Sequence, residues 1–278
     1  MKLVTVLYEG AERAGVLSAD EKTVSLLPCA DMNALIEGGT IPAPAEEKIS
    51  LEDVKLLAPI PRPRQDVICL GINYKAHAQE AERYSEAFQK EKPIPIYFSK
   101  RCSEAVGPDG FIESHPGLVE RLDYEAELAV IIGKTAKNVP AEKAEEYIFG
   151  YTVLNDVSAR VLQTSHKQWY FGKGLDGFTP MGPCIVTADE IPFPPKLRIS
   201  ASVNGELRQD STTDLLITGI PEIIAELSSG MTLLPGTIIA TGTPSGVGMG
   251  FDPPKFLKSG DTVECAIEGI GVLRNIVR

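Results

Sequence analysis

Apolar positions along the chain fall mostly into short runs of strand type, punctuated by glycine and proline. The opening Met1-Lys-Leu-Val-Thr-Val-Leu-Tyr-Glu-Gly10 reads as a strand closing in a turn. Asp66-Val-Ile-Cys-Leu70 reads as a short buried strand stopped by Gly71, and further strands are predicted over 94–99, 128–132, 149–155, 197–203, 237–241 and 262–267. Asn204-Gly205, placed between Val203 and Glu206, predicts a type I′ hairpin. One clear helix, 220–229, opens on Pro221 in its first turn. Residues 74–92 favour helix by composition but lack apolar periodicity, so they form a surface helix or a cover rather than core. Strands with few helices and frequent turns make this a mostly β chain of the α+β class, with a rolled or sandwiched sheet. The proline-rich Ala58-Pro-Ile-Pro-Arg-Pro63 marks a boundary between a small β-rich unit, 1–62, and a larger one, 63–278.

Composition narrows the class. The 278 residues are 43% hydrophobic and 23% charged, as in soluble globular proteins. No apolar stretch nears the roughly 20 residues of a membrane helix, and Glu9 interrupts the opening segment too early for a signal peptide. Five scattered cysteines, none in a C-x-x-C pair, argue against disulfides or a cysteine zinc site and fit a cytoplasmic protein. A net charge of −11 disfavours nucleic acid as a partner. A small anionic substrate fits only where a metal and a few cations reverse the field locally.

The densest chemistry lies in Leu122-Asp-Tyr-Glu-Ala-Glu-Leu-Ala-Val-Ile-Ile132. Strand alternation sends Glu125 and Glu127, with Asp123, to one side, where like charges at the mouth of an apolar strand call for a cation. The other reading is a solvated edge strand with scattered acids. Asp156, at the end of another predicted strand, completes an all-oxygen set suited to Mg²⁺ or Mn²⁺, with Ca²⁺ a further candidate; alone it reads equally as a turn residue. His77 and Glu80 share a face if their segment is helical, giving a general-base dyad or a solvated surface pair. His115 and His166 read as surface residues. Lys173, in a loop dense in glycine and proline, could neutralise a carboxylate or an enolate oxygen, or face solvent. The glycine-rich 240–250 loop lacks the G-x-G-x-x-G spacing of dinucleotide sites, and Ser245 lacks a nucleophile elbow.

Taken in order, several stretches resemble the fumarylacetoacetate hydrolase family: Gly71-Ile-Asn-Tyr-Lys-Ala-His77 through Glu80, Asp123-Tyr-Glu-Ala-Glu127, Asn155-Asp-Val-Ser-Ala-Arg160 with Gln163, Gly172-Lys173 through Pro183, Val203-Asn-Gly-Glu-Leu-Arg208 and Ala240-Thr-Gly-Thr-Pro-Ser-Gly-Val-Gly248. The resemblance spans roughly 66–278 and implies a rolled, layered mixed β-sheet core that dimerises. It also implies Glu125, Glu127 and Asp156 as ligands of one Mg²⁺ or Mn²⁺, and His77 with Glu80 as a water-activating dyad on a lid. Lys173, Gln163 and Thr243 then face the 2-oxo-acid end of a substrate, with Gly71 and Lys100 beside them. The reaction implied is C3–C4 cleavage of a short 2-oxo acid through a pyruvate enolate, as acylpyruvate hydrolysis. Decarboxylation of an oxaloacetate-type acid and isomerisation of a dienoic oxo acid are alternatives on the same site, and a non-catalytic binder is a further one. Three positions depart from the family pattern: Ile72 where Arg is common, Val161 where Asp is common, and the loop Gly174-Leu-Asp-Gly177. They bear on substrate identity more than on the metal.

Overall fold

In the computed structural model, which describes residues 1–82 and 94–278, the apolar run Ala126–Ile132 is a strand buried along its whole length. Leu128, Val130 and Ile132 enter one apolar cluster, while Ala129 and Ile131 enter another on the opposite face. A strand covered on both faces needs unbroken hydrophobicity, which is why apolar–polar alternation is missing here.

This strand lies inside an eleven-stranded sheet ordered Ile49–Ser50, Thr23–Leu26, Ala11–Leu17, Lys2–Tyr8, Met181–Thr187, Ile148–Asn155, Ala126–Ile132, Ile238–Ala240, Val67–Leu70 and Tyr97–Lys100, with Lys55–Leu56 paired to Lys2–Tyr8. Its one parallel pair joins Ile238–Ala240 to Val67–Leu70. A five-stranded sheet, Glu206–Thr212, Arg198–Val203, Thr262–Ile267, Gly271–Val277 and Phe111–Ile112, packs on one face. Its inward Ile199, Ala201, Val203, Val263, Cys265 and Leu273 share a core with Leu128 and Val130. The architecture is the layered, sheet-dominated α+β form expected.

Several predicted elements form where the pattern placed them. Thr262–Ile267 is a strand, Asn204 and Gly205 take φ of 53° and 78° as a type I′ turn requires, and the helix runs Ile220–Gly230 with Ile220, Ile223, Ile224 and Leu227 inward. Several elements were not anticipated, among them a helix and a strand of the main sheet. Helix Met32–Gly38 is capped by Asp31, whose side chain accepts from Ala34 N at 2.7 Å, and ends at Gly39 with φ of 67°. Strand Met181–Thr187 forms despite its glycine and proline because it is flanked by Lys2–Tyr8 and Ile148–Asn155, which supply ladder partners. The pairings Lys2↔Val186 and Leu3↔Ile185 carry main-chain hydrogen bonds across the expected boundary at residue 62, so 1–62 extends the same sheet. Within the 74–92 segment the helix is Lys75–Glu82; the rest of that expectation lies outside the described residues. No helix among the described residues is long and apolar enough to cross a membrane.

Candidate active site

Strand pairing assembles the acidic centre. Ala126 lies opposite Asn155 in the antiparallel ladder, so the residues just beyond each strand, Glu125 and Asp156, meet, and Asp156 N donates to Glu125 O at 2.8 Å. Alternation then puts Glu127 on the side of Glu125. One carboxylate oxygen from each of Glu125, Glu127 and Asp156 lies within 4.8 Å of the others, and all three residues are buried. The edge-strand alternative is thereby removed, since Glu127 and Asp156 are fully enclosed.

Electrostatics inside this cluster are severe. Burial and the neighbouring Asp156 and Glu125 push the Glu127 carboxyl well above its ordinary value. Burial also opposes ionisation of Glu125, yet Lys173, Arg160 and His77 hold it below the usual carboxylate range. Lys173 stands on the helical turn Tyr170–Lys173, only 2% exposed, and its ammonium donates to Glu125 Oε2 at 2.8 Å and Asp156 Oδ2 at 2.6 Å. Desolvation works against that charge, but Asp156 and Glu125 raise the Lys173 pKa above its ordinary value. A solvent-facing loop cation it is not.

The triad suits a hard divalent cation. Glu127 Oε2 accepts from Gly242 N at 2.7 Å, while Glu127 Oε1 is buried with no hydrogen-bond partner. An orphaned carboxylate oxygen facing two further carboxylates is costly, and an ion held by Glu125, Glu127 and Asp156 would satisfy it with oxygen donors alone.

His77 and Glu80 project from helix Lys75–Glu82, with His77 Nδ1 3.0 Å from Glu80 Oε2 and His77 only 8% exposed. Glu80 Oε1 accepts from Gly246 N at 3.2 Å, and a side chain at Gly250 would occupy the space Glu80 fills. Both side chains are largely buried, so the solvated-pair alternative does not hold, and an imidazole held by a carboxylate is suited to proton transfer. His115 Nε2 donates to Asp176 O at 2.8 Å, and His166 is exposed.

The remaining expected residues divide. Gln163 Oε1 accepts from Arg160 Nη1 at 3.2 Å, and Thr243 Oγ1 is engaged by Ala126 O and Gln209 Nε2. Gly71 lies under the Trp169 ring, which leaves no room for a Cβ. Lys100 differs from its expected substrate contact. Strand Tyr97–Lys100 points it inward, fully buried, with its ammonium 2.8 Å from Asp156 Oδ1 and bonded to the carbonyls of Val157 and Lys173. It steadies Asp156 and the turn carrying Lys173. The Lys100–Asp156 contact is an ion pair too poorly aligned to count as a hydrogen bond.

Sequence reasoning gave no role to Arg160, which donates through Nε to Asp123 Oδ2 at 2.8 Å and through Nη1 to Glu125 Oε1 at 2.6 Å, leaving Nη2 buried and unpaired. It also passed over Gln209, fully buried, which accepts from Ala126 N at 3.0 Å and donates to Pro244 O at 2.7 Å. Alternation did not point to it: Leu207, two residues earlier, is exposed, and an irregularity opposite Ala201 and Ser202 shifts the register.

Fold and site define an enzyme with a buried acidic centre suited to a divalent cation. The chain belongs to the fumarylacetoacetate hydrolase family, whose C-terminal domain matches residues 66–278. It is 49% identical over 226 residues to oxaloacetate tautomerase YisK of Bacillus subtilis, covering 81% of this chain and 74% of that protein. A fumarylacetoacetate hydrolase from Exiguobacterium antarcticum superposes with a TM-score of 0.90 at 40% identity, covering 100% of this chain and 99% of that one. A 5-carboxymethyl-2-hydroxymuconate delta-isomerase from Mycobacterium smegmatis superposes with a TM-score of 0.83 at 36% identity, covering 100% and 99%.

Proposed function

We propose that this protein catalyses proton transfer at C3 of a short 2-oxo dicarboxylic acid of the oxaloacetate type, interconverting keto and enol forms. The observation that carries it is the buried His77–Glu80 pair, whose Glu80 accepts from Gly246 N of the same loop that, through Gly242 N, holds Glu127 of the acidic centre. The 49% identity to an oxaloacetate tautomerase supports this reaction over others open to the family. Mg²⁺ or Mn²⁺ held by Glu125, Glu127 and Asp156 would supply Lewis-acid polarisation of the substrate carbonyl, making its C3 protons acidic. His77 takes and returns the C3 proton, and Glu80 keeps the imidazole oriented. Lys173 places positive charge where the enolate oxygen develops, a contribution of several kcal/mol (about 3–4) in a water-poor site. Gln163, its carbonyl held by Arg160, offers its amide N–H groups to the C1 carboxylate, with Gly71 and Thr243 lining the site. The protein works as a homodimer on this reading.

A second reading is C3–C4 cleavage, as acylpyruvate hydrolysis or as decarboxylation. The same dyad favours it, since a base that accepts a C3 proton can equally activate water, and a structural neighbour is described as a hydrolase. Oxaloacetate in D₂O, with chelated and with Mn²⁺-loaded enzyme, separates the two. Fast deuterium entry at C3, monitored by NMR, without pyruvate supports tautomerisation. Pyruvate formed as fast as label enters overturns it in favour of cleavage.

A further inference from the structure

Asp123 belongs to the acidic run of Glu125 and Glu127, yet it is not among the three converging carboxylates. It is fully buried and accepts from four donors: Tyr124 N at 3.0 Å, Gly248 N at 2.7 Å, Met249 N at 3.0 Å and Arg160 Nε at 2.8 Å. Gly248 leaves no room for a Cβ, which would press on Asp123 Oδ1 and the Lys255 carbonyl. Two chains of contact therefore meet at this carboxylate. One runs through Arg160, whose Nη1 holds Glu125 Oε1 at 2.6 Å. The other runs through the glycine-rich loop, whose Gly246 N donates to Glu80 Oε1 at 3.2 Å.

We propose that Asp123 is a positioning residue that couples the loop receiving the His77–Glu80 helix to the metal-ligating carboxylate Glu125, through Arg160. The charge of Asp123 is what divides the guanidinium between two carboxylates. Neutralising it gives Arg160 wholly to Glu125, which then competes less well for an ion. It also weakens the charge-assisted acceptor that anchors Gly248 N and Met249 N, loosening the surface on which Glu80 rests. The inference rests on the metal reading of the triad and is independent of which reaction the site performs.

The test uses two variants of the full chain and two readouts that need no substrate: Mn²⁺ affinity by calorimetry, and amide hydrogen exchange across 244–251. Asp123→Asn is expected to weaken Mn²⁺ binding about 10–100-fold, the usual effect of losing a partner that orients a metal ligand, and to speed exchange in the loop. Gly248→Ala removes no charge and touches no ligand, yet pushes the loop off Asp123, so it is expected to do both as well. If Asp123→Asn does not fold, Gly248→Ala alone decides. Unchanged Mn²⁺ affinity alongside faster loop exchange overturns the coupling, and so does weakened affinity with an unaltered loop. A parent protein that binds no divalent ion overturns the metal reading, and this inference with it.

Discussion

Replacing Glu127 by Gln separates the cost of the acidic centre from its use. Within the cluster, four carboxylates (Asp123, Glu125, Glu127, Asp156) face three cations (Lys100, Lys173, Arg160), four minus three leaving one uncompensated negative charge. Gln keeps the shape, lets its carbonyl accept from Gly242 N, and removes that charge. Because burial, Asp156 and Glu125 raise the folded carboxyl, the stability it contributes is complete below the unfolded value of about 4.3 and is lost as pH rises through the raised folded value. Metal-free parent protein should therefore melt at falling temperatures from about pH 5 upward, and the variant should show a flatter profile. Mn²⁺ at about 100 times its Kd should stabilise the parent by about 2.7 kcal/mol, or about 5–10 °C. If losing this ligand weakens affinity by about 100-fold, the same concentration gives the variant only about 0.4 kcal/mol. Scanning calorimetry of chelator-treated protein, with and without Mn²⁺ at pH 5 and pH 8, reads both effects. A metal-free variant that melts below the parent at pH 8, or an equal Mn²⁺ shift in both, refutes the reasoning.

Lys173→Met should cut turnover by about 10²–10³-fold while leaving Mn²⁺ binding as tight or tighter, because the ammonium competes for Glu125 and Asp156; weaker Mn²⁺ binding in a titration would contradict this. Glu80→Gln should lower the rate of C3 exchange by about 10²-fold or more without altering the Mn²⁺-induced melting shift, a pairing checked by NMR and calorimetry on the same samples. Gly250→Ala should raise KM and lower kcat together, since its methyl takes the space Glu80 fills; steady-state kinetics indistinguishable from the parent would show that Glu80 docks elsewhere. Gln209→Leu should cost about 2–4 kcal/mol in chelated protein by urea unfolding, from stranding Ala126 N and Pro244 O.

The sheet and the convergence of its carboxylates were legible because both depend on local pattern. An unbroken apolar run after Glu125-Ala-Glu127 states a doubly covered strand, and alternation states the common side of the two carboxylates. What that pattern could not say is which polar groups lie beneath these carboxylates. Lys100 and Lys173 read alike as cations near a pocket, yet an inward strand position buries one under Asp156 and a helical turn aims the other between Glu125 and Asp156. Asp123 shares the spacing of Glu125 and Glu127, but the donors that claim it, Gly248 N, Met249 N and Arg160 Nε, come from segments distant in sequence. Met181–Thr187 escaped notice for the same reason: its ladder partners, not its own residues, make it a strand.

The two halves of the site are held by different kinds of structure, and this bears on why one fold serves several reactions. Glu125, Glu127 and Asp156 are fixed by adjacent ladder pairs and buried main-chain bonds, so their geometry follows from the sheet itself. His77 and Glu80 ride on the polar helix Lys75–Glu82, which follows Asn73, itself bonded to Thr218 and Thr241, and Glu80 meets the loop through a 3.2 Å hydrogen bond from Gly246 N and the space left by Gly250. On the proposed reading, stabilising an enolate draws on the first half, and the choice between protonating C3 and delivering water to C4 on where the imidazole stands. A displacement of about 1 Å is enough to change such a rate by about 10²-fold. Substitutions that move the imidazole without displacing Gly242 N from Glu127 or the loop from Asp123, such as those around Gly71, are therefore expected to redirect the chemistry while leaving ion binding as it was.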